Sequence, residues 1–371
     1  MLERTQRIIV PSCTQITDAV ENKFYVARLL SIWGYRKQIN HFPGCNPVPV
    51  DRETLHHLRM HEYVVAYKTD GVRYMLMLTL RPDGAPIALM IDRALIMYEI
   101  EVWGNEQFFS EGTLLDGELT WDSLEERSLV YLVFDIITAA GERYVHRPFA
   151  DRLQVIHNTI FRTWTSNIDT YQCIGEENRI VCRQVSPVPI QFLPKHIVHA
   201  ANVDDLWRRR GESPYRMDGL LFTRKDAKVA SGSSLTMLKW KMDATVDLVC
   251  HGDSVAELFM NSNTRAELVP LLNLTHCSFT LVSNKITTRH VDQRDPPGAV
   301  CVIEYLVSTK RAAPDANVAV TLVPVRERTD KISPNAVTTV DKTIMATLNA
   351  VLFPELKQCL ASNSKNIHFR G

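Results

Sequence analysis

Lys68 stands in AYKTDGVRY, an apolar strand-like run interrupted by a primary amine. Burying an ammonium costs on the order of several kcal/mol, so a lysine here needs a reason. One reason is nucleophilic chemistry. A free lysine has a pKa of about 10.4, so under roughly 0.1% of it is neutral at pH 7. Desolvation and nearby cations both lower that pKa and free the amine. Asp70-Gly71 forces a turn, and Arg73 places a second cation two residues past the glycine. A neutral amine of this kind can attack an α-phosphorus while other cations hold the phosphates. By itself KTDG also fits a lysine snorkelling at a strand end.

Other residues add to that chemistry. Asp116-Gly117-Glu118 ends an apolar run and reads as a turn presenting a carboxylate, able to bind a ribose hydroxyl or metal-bound water. Phe134 and Asp135 interrupt the apolar run YLVFDII with a ring and a charge, and such a ring can stack on a nucleobase. RMDGLLFT contributes Asp218-Gly219. In LKWKM, period 2 puts Lys239 and Lys241 on one face of a strand and Leu238 and Trp240 on the other. Two like charges side by side repel, and an anion between them relieves it. VRERTDKISPN gathers Arg326, Arg328 and Lys331 around Asp330.

These residues need elements to hold them. TQITDAVENKFYVARLLSIWG predicts a helix with Ile16, Val20, Phe24 and Leu30 near one face and Gly34 as its stop. Asp51 is expected to cap a short helix holding Leu55 and Leu58. From residue 63 the pattern turns to strands, with RPDG at 81–84 as a hairpin turn and LVYLVFDII buried on both faces. This is an α+β pattern built on antiparallel sheet. After Met242, five strand-like runs predict a small OB-type barrel. The tail predicts a helix with Val340, Ile344, Leu348 and Val351 on one face, ended by Pro354.

The chain has 371 residues, 42 Lys+Arg and 42 Asp+Glu, and is 45% hydrophobic. Two globular domains suit that length, and a polybasic tail protein is excluded. No apolar run approaches the roughly 18 residues of a membrane helix, and the start lacks the pattern of a signal peptide, so no membrane association is expected. The eight cysteines are scattered without a CxxC pair, which argues against zinc and disulfides and for an intracellular, reducing compartment.

Taken in order, KTDG, IDR, DGEL, FD, DGLLF, LKWK and RxRxDK resemble the motif series of the covalent nucleotidyltransferases, and within them the mRNA capping guanylyltransferases. FPGCNPVPV, KTDGVRY, LLDGEL, LVYLVFDI, DGLLFT, LKWK followed by TVDL, and VRERTDKISPN carry the likeness, over about residues 40 to 345. The resemblance implies an ATP-grasp-like nucleotidyltransferase domain of antiparallel sheets with helices at 1–242. An OB-fold lid at 243–328 would follow, then the lid motif and a helix at 329–371 packing back near the hinge. It implies GTP as substrate, Mg²⁺ or Mn²⁺ as cofactor, a covalent lysyl-GMP at Lys68, and transfer of GMP to the 5′-diphosphate end of RNA.

The same resemblance assigns roles. Arg73 and Glu118 match ribose contacts, Arg93 a sugar–phosphate contact, and Phe134 the ring that stacks on guanine. Lys195 matches a lysine that reads the guanine carbonyl oxygen. Asp218 matches an acid near the metal and the reacting lysine, with Glu118 as a second metal candidate. Lys239 and Lys241 match the α-phosphate clamp, and Arg326, Asp330 and Lys331 the lid motif that orients the β,γ-phosphates. Leu322 stands where many members have tryptophan. With no triphosphatase or methyltransferase signature in the chain, those activities fall to separate subunits or removed domains, and RNA polymerase is a further partner. The compartment would be the nucleus for a cellular member and the cytoplasm or virion for a viral one.

Two other readings share these residues. An ATP-dependent RNA or DNA ligase would use Lys68 in the same way, through lysyl-AMP. A non-enzymatic scaffold could keep the fold for docking. Arg208, Arg209, Arg210, Arg224, Lys225 and Lys228 form a basic concentration that could guide an RNA 5′ end or form a solvated face.

Overall fold

The apolar runs from Tyr63 onward become strands of a mixed α+β chain in the computed structural model. It describes residues 3–4, 13–34, 42–102, 105–122, 129–162, 171–172, 180–182, 190–251, 255–262, 265–270, 277–281, 302–313, 316–328 and 334–367. The chain divides into two units. One comprises Ile8–Val50, Thr54–Trp240 and Phe353–Gly371, the other Met1–Arg7, Asp51–Glu53 and Lys241–Leu352.

The unit holding Lys68 is built on two sheets. Among the described residues the larger has ten strands, and its middle runs Ile190–Pro194, Leu129–Ala139, Thr113–Trp121, Val72–Leu80, Pro86–Ile91, Met97–Ile100. The first of these pairs is parallel and the others antiparallel. Side chains alternate across this sheet. Leu76 and Leu78 join Leu119, Tyr131 and Phe192 on one face, while Met75 and Met77 join Leu89 and Ile91 on the other. Leu129–Ala139 is buried throughout except at Phe134, as its continuous apolar run predicts. The smaller sheet has the order Ile197–His199, Tyr63–Thr69, Met217–Arg224, Gly232–Lys241, Cys45–Pro49. It carries Lys68, Asp218 and the Lys239/Lys241 pair on three successive strands.

Helix Ala19–Trp33 covers the methionine face of the large sheet. The Asp18 carboxylate accepts from the N–H groups of Val20 and Glu21, and Gly34 closes the helix at φ 95°, in the left-handed region. The predicted apolar face is corrected here. Of the predicted residues Leu30 is buried, as is Ile16 just before the helix, but Val20 and Phe24 are exposed, and Tyr25, Leu29, Ile32 and Trp33 are buried in their place. Apolar residues lie on two faces of this helix, and the i, i+4, i+7, i+8 stripe from Tyr25 is the one that meets the sheet.

Three turn and cap expectations also change. Asp51 accepts from the Glu53 N–H instead of capping, and helix Leu55–Met60 starts at Thr54 with no side-chain cap. Asp116-Gly117-Glu118 is the middle of strand Thr113–Trp121, with a register shift where a turn is expected. Pro354 opens helix Phe353–Ile367, because a first-turn proline lacks only an N–H that has no helical partner anyway. The preceding helix, Val337–Leu348, ends at Asn349. The hairpin turn at 81–84 forms as expected, with the Arg81 N–H donating to the Ala85 carbonyl at 2.7 Å.

In the other unit, strands Thr245–His251, Val255–Ser262, Arg265–Pro270, Cys277–Leu281, Val302–Arg311 and Val318–Glu327, with the short Glu3–Arg4, form one sheet. Arg265–Pro270 goes beyond the five predicted runs. Among the described residues no pairing closes this sheet into a barrel. Its core is Val246, Leu248, Tyr305, Val307, Val320 and Leu322, covered by Val340 and Ile344 of helix Val337–Leu348. Leu322 is thus a core residue. Helix Phe353–Ile367 belongs to the Lys68 unit, where the Cys359 thiol reaches the Leu55 carbonyl and Lys357 pairs with Asp204. The C-terminal segment is therefore shared between the two units.

Candidate active site

Two β-bulges aim the central side chains. Opposite strand Tyr63–Thr69, Met217 pairs with Thr69 and Gly219 with Lys68, which leaves Asp218 as the extra residue. Opposite strand Thr113–Trp121, Asp135 pairs with Asp116 and Val133 with Gly117, which leaves Phe134 as the extra residue. A bulged residue is freed from the ladder and its side chain is re-aimed. Phe134 is the one residue of its strand that is not buried, whereas Ile137, left over at the second register shift of the same pair, stays in the core. The bulge at Asp218 explains how its carboxylate meets the amine across the sheet: Lys68 Nζ donates to Asp218 Oδ1 at 2.7 Å, with both side chains about a quarter to a third exposed (25% and 30%).

Behind Lys68 lies a buried cluster. Lys195 follows strand Ile190–Pro194, and its backbone N–H donates to the Val133 carbonyl at 2.8 Å. Its Nζ donates to Thr69 Oγ1 at 2.9 Å and to Glu118 Oε2 at 2.8 Å. Thr69 Oγ1 donates to the same Glu118 oxygen, and the Gly71 N–H reaches Oε1 at 3.3 Å. Burial pushes the Glu118 carboxyl up, but the Lys195 ammonium and the hydrogen bonds from Lys195 and Thr69 outweigh it, so its pKa sits below the usual glutamate value. Gly71 is required by space, since a Cβ there would lie 2.6 Å from the Leu119 carbonyl oxygen and 2.7 Å from Glu118 Cγ.

Arg73 is held elsewhere than a free ribose contact would be. Its fork grips Asp116, with Nε donating to Oδ1 at 2.8 Å, and Nη1 reaches the Cys45 carbonyl. Its guanidinium lies 5.1 Å from the Phe42 ring centre and 5.4 Å from that of Phe134, while Lys195 Nζ lies 5.7 Å from the Phe134 ring. The Phe134 ring is thus flanked by two cations. Beneath it, Asp135 is gripped by Arg152, with Nε to Oδ1 at 2.7 Å and Nη2 to Oδ2 at 2.9 Å. Arg152 Nη1 donates to the carbonyls of Arg147 and Ala227. This arginine is 2% exposed.

Lys68, Glu118, Phe134, Lys195 and Asp218 come together, with Arg73 beside them. Lys239 is half-buried and Lys241 exposed, alternating with buried Leu238 and Trp240 as period 2 predicts. Arg93 is exposed just after strand Pro86–Ile91. In the other unit Arg326 is engaged by Glu304, and Arg328 pairs with Asp247 at 3.1 Å. Asp330 and Lys331 lie outside the described residues. Four of the six cations of the basic concentration are paired with carboxylates: Arg208 with Asp204 and Asp205, Arg209 with Glu212, Arg224 with Asp226 and Lys225 with Glu62, while Arg210 donates to the Trp207 carbonyl.

Among the described residues no group of three His, Cys, Asp or Glu gathers to hold a metal. Glu118 does not fit the metal role, because Lys195, Thr69 and the Gly71 N–H occupy its oxygens. Asp218 does fit a cation held by one carboxylate and substrate phosphates. The residues missed by sequence reading are Thr69, Asp116 as the partner of Arg73, and Arg152. Thr69 sat inside the quoted KTDG, but nothing in that motif signals its partners.

An amine in reach of a carboxylate, a ring between two cations and a pair of strand lysines are the parts of a nucleotidyltransferase. Residues 6–243 match the family described as mRNA capping enzyme, catalytic domain, and the chain belongs to that family. It is similar to the mRNA-capping enzyme subunit alpha of Schizosaccharomyces pombe (28% identity over 211 residues, 54% of this chain and 50% of that one). The Saccharomyces cerevisiae protein of the same name is 27% identical over 258 residues (64% and 53%). The Danio rerio mRNA-capping enzyme is 27% identical over 332 residues (86% and 49%). The chain spans about half the length of these curated relatives. Among solved structures, "mycobacterial DNA ligase D complexed with ATP and MES" superposes with a TM-score of 0.39 at 11% identity, over 78% of this chain and 96% of that one. No described helix is long and apolar enough to cross a membrane.

Proposed function

We propose that this chain is an mRNA guanylyltransferase working through a lysyl-GMP intermediate. The observation that carries the reading is the Lys68 amine 2.7 Å from the bulged Asp218, beside the buried Glu118–Lys195 pair and the Phe134 ring. In the first step the Lys68 ammonium gives one proton to Asp218, the neutral amine attacks the α-phosphorus of GTP, and the second proton shed by the nitrogen goes to the departing pyrophosphate. The bond to the β-phosphate oxygen breaks and pyrophosphate leaves. In the second step the terminal phosphate oxygen of a 5′-diphosphate RNA attacks the same phosphorus, the P–N bond breaks, and Lys68 recovers a proton as GpppRNA departs. Positioning and electrostatic stabilisation supply the rate.

Phe134 stacks on guanine and Lys195 donates to its carbonyl oxygen. Arg93 serves the sugar–phosphate, and Glu118 offers a ribose hydroxyl its Oε1, whose Gly71 N–H contact is long at 3.3 Å, while Arg73, engaged by Asp116, backs the Phe134 ring. Lys239 and Lys241 hold the α-phosphate. A divalent cation, Mg²⁺ or Mn²⁺, would be held by Asp218 with the nucleotide phosphates and would neutralise phosphate charge. The other unit is read as an OB-fold lid whose Arg326, Asp330 and Lys331 orient the β,γ-phosphates; its run of short antiparallel strands supports this. Triphosphatase and cap methyltransferase activities belong to partner subunits or to further domains, and RNA polymerase is a docking partner.

Incubation with α-labelled GTP and Mg²⁺ or Mn²⁺ tests the proposal. The expected result is a labelled protein band, acid-labile and alkali-stable as a P–N bond is. The Lys68→Arg variant, whose guanidinium stays protonated, should give none. A band formed with ATP alone, or retained in Lys68→Arg, overturns it.

A further inference from the structure

We propose that Thr69 is a positioning residue that sets nucleobase selectivity through Lys195; the inference rests on the guanylyltransferase reading above. Lys68 and Thr69 are neighbours on one strand, so their side chains leave opposite faces. Lys68 meets Asp218, while Thr69, 2% exposed, turns to Lys195 and Glu118. The three groups close a triangle. Lys195 donates to Thr69 Oγ1 at 2.9 Å and to Glu118 at 2.8 Å, and the Thr69 hydroxyl donates to Glu118. Two of the three ammonium N–H bonds are thereby fixed, which fixes the direction of the third.

Lys195 also lines the small cavity shared by Phe134 and Leu221, with Nζ 5.7 Å from the Phe134 ring centre. A purine stacked on that ring presents its six-position to an N–H donor. A carbonyl oxygen accepts that hydrogen bond, whereas an amino group sets donor against donor and leaves buried polar groups unpaired. Without the Thr69 hydroxyl, Lys195 keeps the Glu118 hydrogen bond and the Phe134 ring contact, and the direction of its remaining N–H bonds is no longer set. The nucleophile stays in place, and the discrimination is lost.

The test compares adduct formation with GTP and with ATP, as kcat/KM, in the full chain. Thr69→Val should still label, with its GTP-to-ATP ratio at least tenfold below wild type, and Thr69→Ser should restore the ratio. In a Lys195→Met background, Thr69→Val should change the ratio no further, because both act through one ammonium. A wild-type ratio in Thr69→Val, loss of labelling with both nucleotides in a folded variant, or multiplying effects in the double variant each overturn the proposal. If Thr69→Val does not fold, Thr69→Ala carries the same expectations. A wild type that labels with no nucleotide fails the guanylyltransferase reading itself and takes this inference with it.

Discussion

Asp218 is the extra residue of a β-bulge opposite Lys68, and its carboxylate accepts a hydrogen bond from the Lys68 amine at 2.7 Å. An ordinary ladder position would keep Asp218 in the sheet pairing. The glycine that follows, Gly219, takes the ladder position facing Lys68 in its stead.

Replacing Asp218 by Asn removes the proton acceptor and keeps the shape. Adduct formation should slow about 100-fold or more, the usual scale of acid–base assistance. Stability should change by no more than about 1 kcal/mol, because the ion pair is partly solvated. Single-turnover labelling and a denaturant melt read the two numbers. Unimpaired labelling would remove Asp218 from the chemistry.

Phe134→Ala should raise the GTP requirement and leave the maximal adduct rate little changed. Stacking on an aromatic ring is worth roughly 1–3 kcal/mol. A titration of adduct rate against GTP measures it, and an unshifted half-saturation point would place the base elsewhere.

Arg152→Met should cost about 3–5 kcal/mol, since it strands the Asp135 carboxylate in a buried position. Chemical denaturation checks this. A cost below about 1 kcal/mol would mean that water or another cation replaces the arginine. Because Asp135 adjoins Phe134, GTP binding should weaken even where the variant is folded.

Glu304 and Glu118 both titrate below the usual glutamate value. For each, burial raises the carboxyl, and a hydrogen bond from a threonine hydroxyl together with a hydrogen-bonded cation (Thr245 and Arg326 for Glu304, Thr69 and Lys195 for Glu118) more than reverses it. A carboxylate with a depressed folded pKa stabilises the fold above its unfolded pKa, about 4.3, and loses that contribution as pH falls through the folded value. Glu304→Gln should therefore destabilise the protein at pH 7, with the gap to wild type closing below about pH 4.3. A gap independent of pH between 7 and 3 would contradict the assignment.

The chemistry-bearing residues were legible because each interrupts an apolar strand. Lys68, Phe134 and Asp218 stand out against runs of valine, leucine and isoleucine, and the same contrast located the strands themselves. The helix stop at Gly34 follows a local rule and was legible; the cap at Asp18 went unread, and of the expected face only Ile16 and Leu30 are buried. The two bulges were not legible. DGEL read as a turn, since Asp-Gly favours turns locally, and only pairing with Val72–Leu80 on one side and Leu129–Ala139 on the other makes it a strand, with Phe134 the extra residue across from it.

Residue type and local order determined the inventory of this protein: a lysine within an apolar strand, an aromatic ring beside a charge, carboxylates, paired strand lysines and the elements that carry them. Tertiary structure decided who meets whom. Lys195 reaches Thr69 across 126 positions of chain and Lys68 reaches Asp218 across 150. It also took Arg73 for Asp116, and gave Pro354 a helix to begin. Such pairings depend on strand order, register and bulges, which are set by burial of the whole sheet, and no short stretch of sequence encodes them.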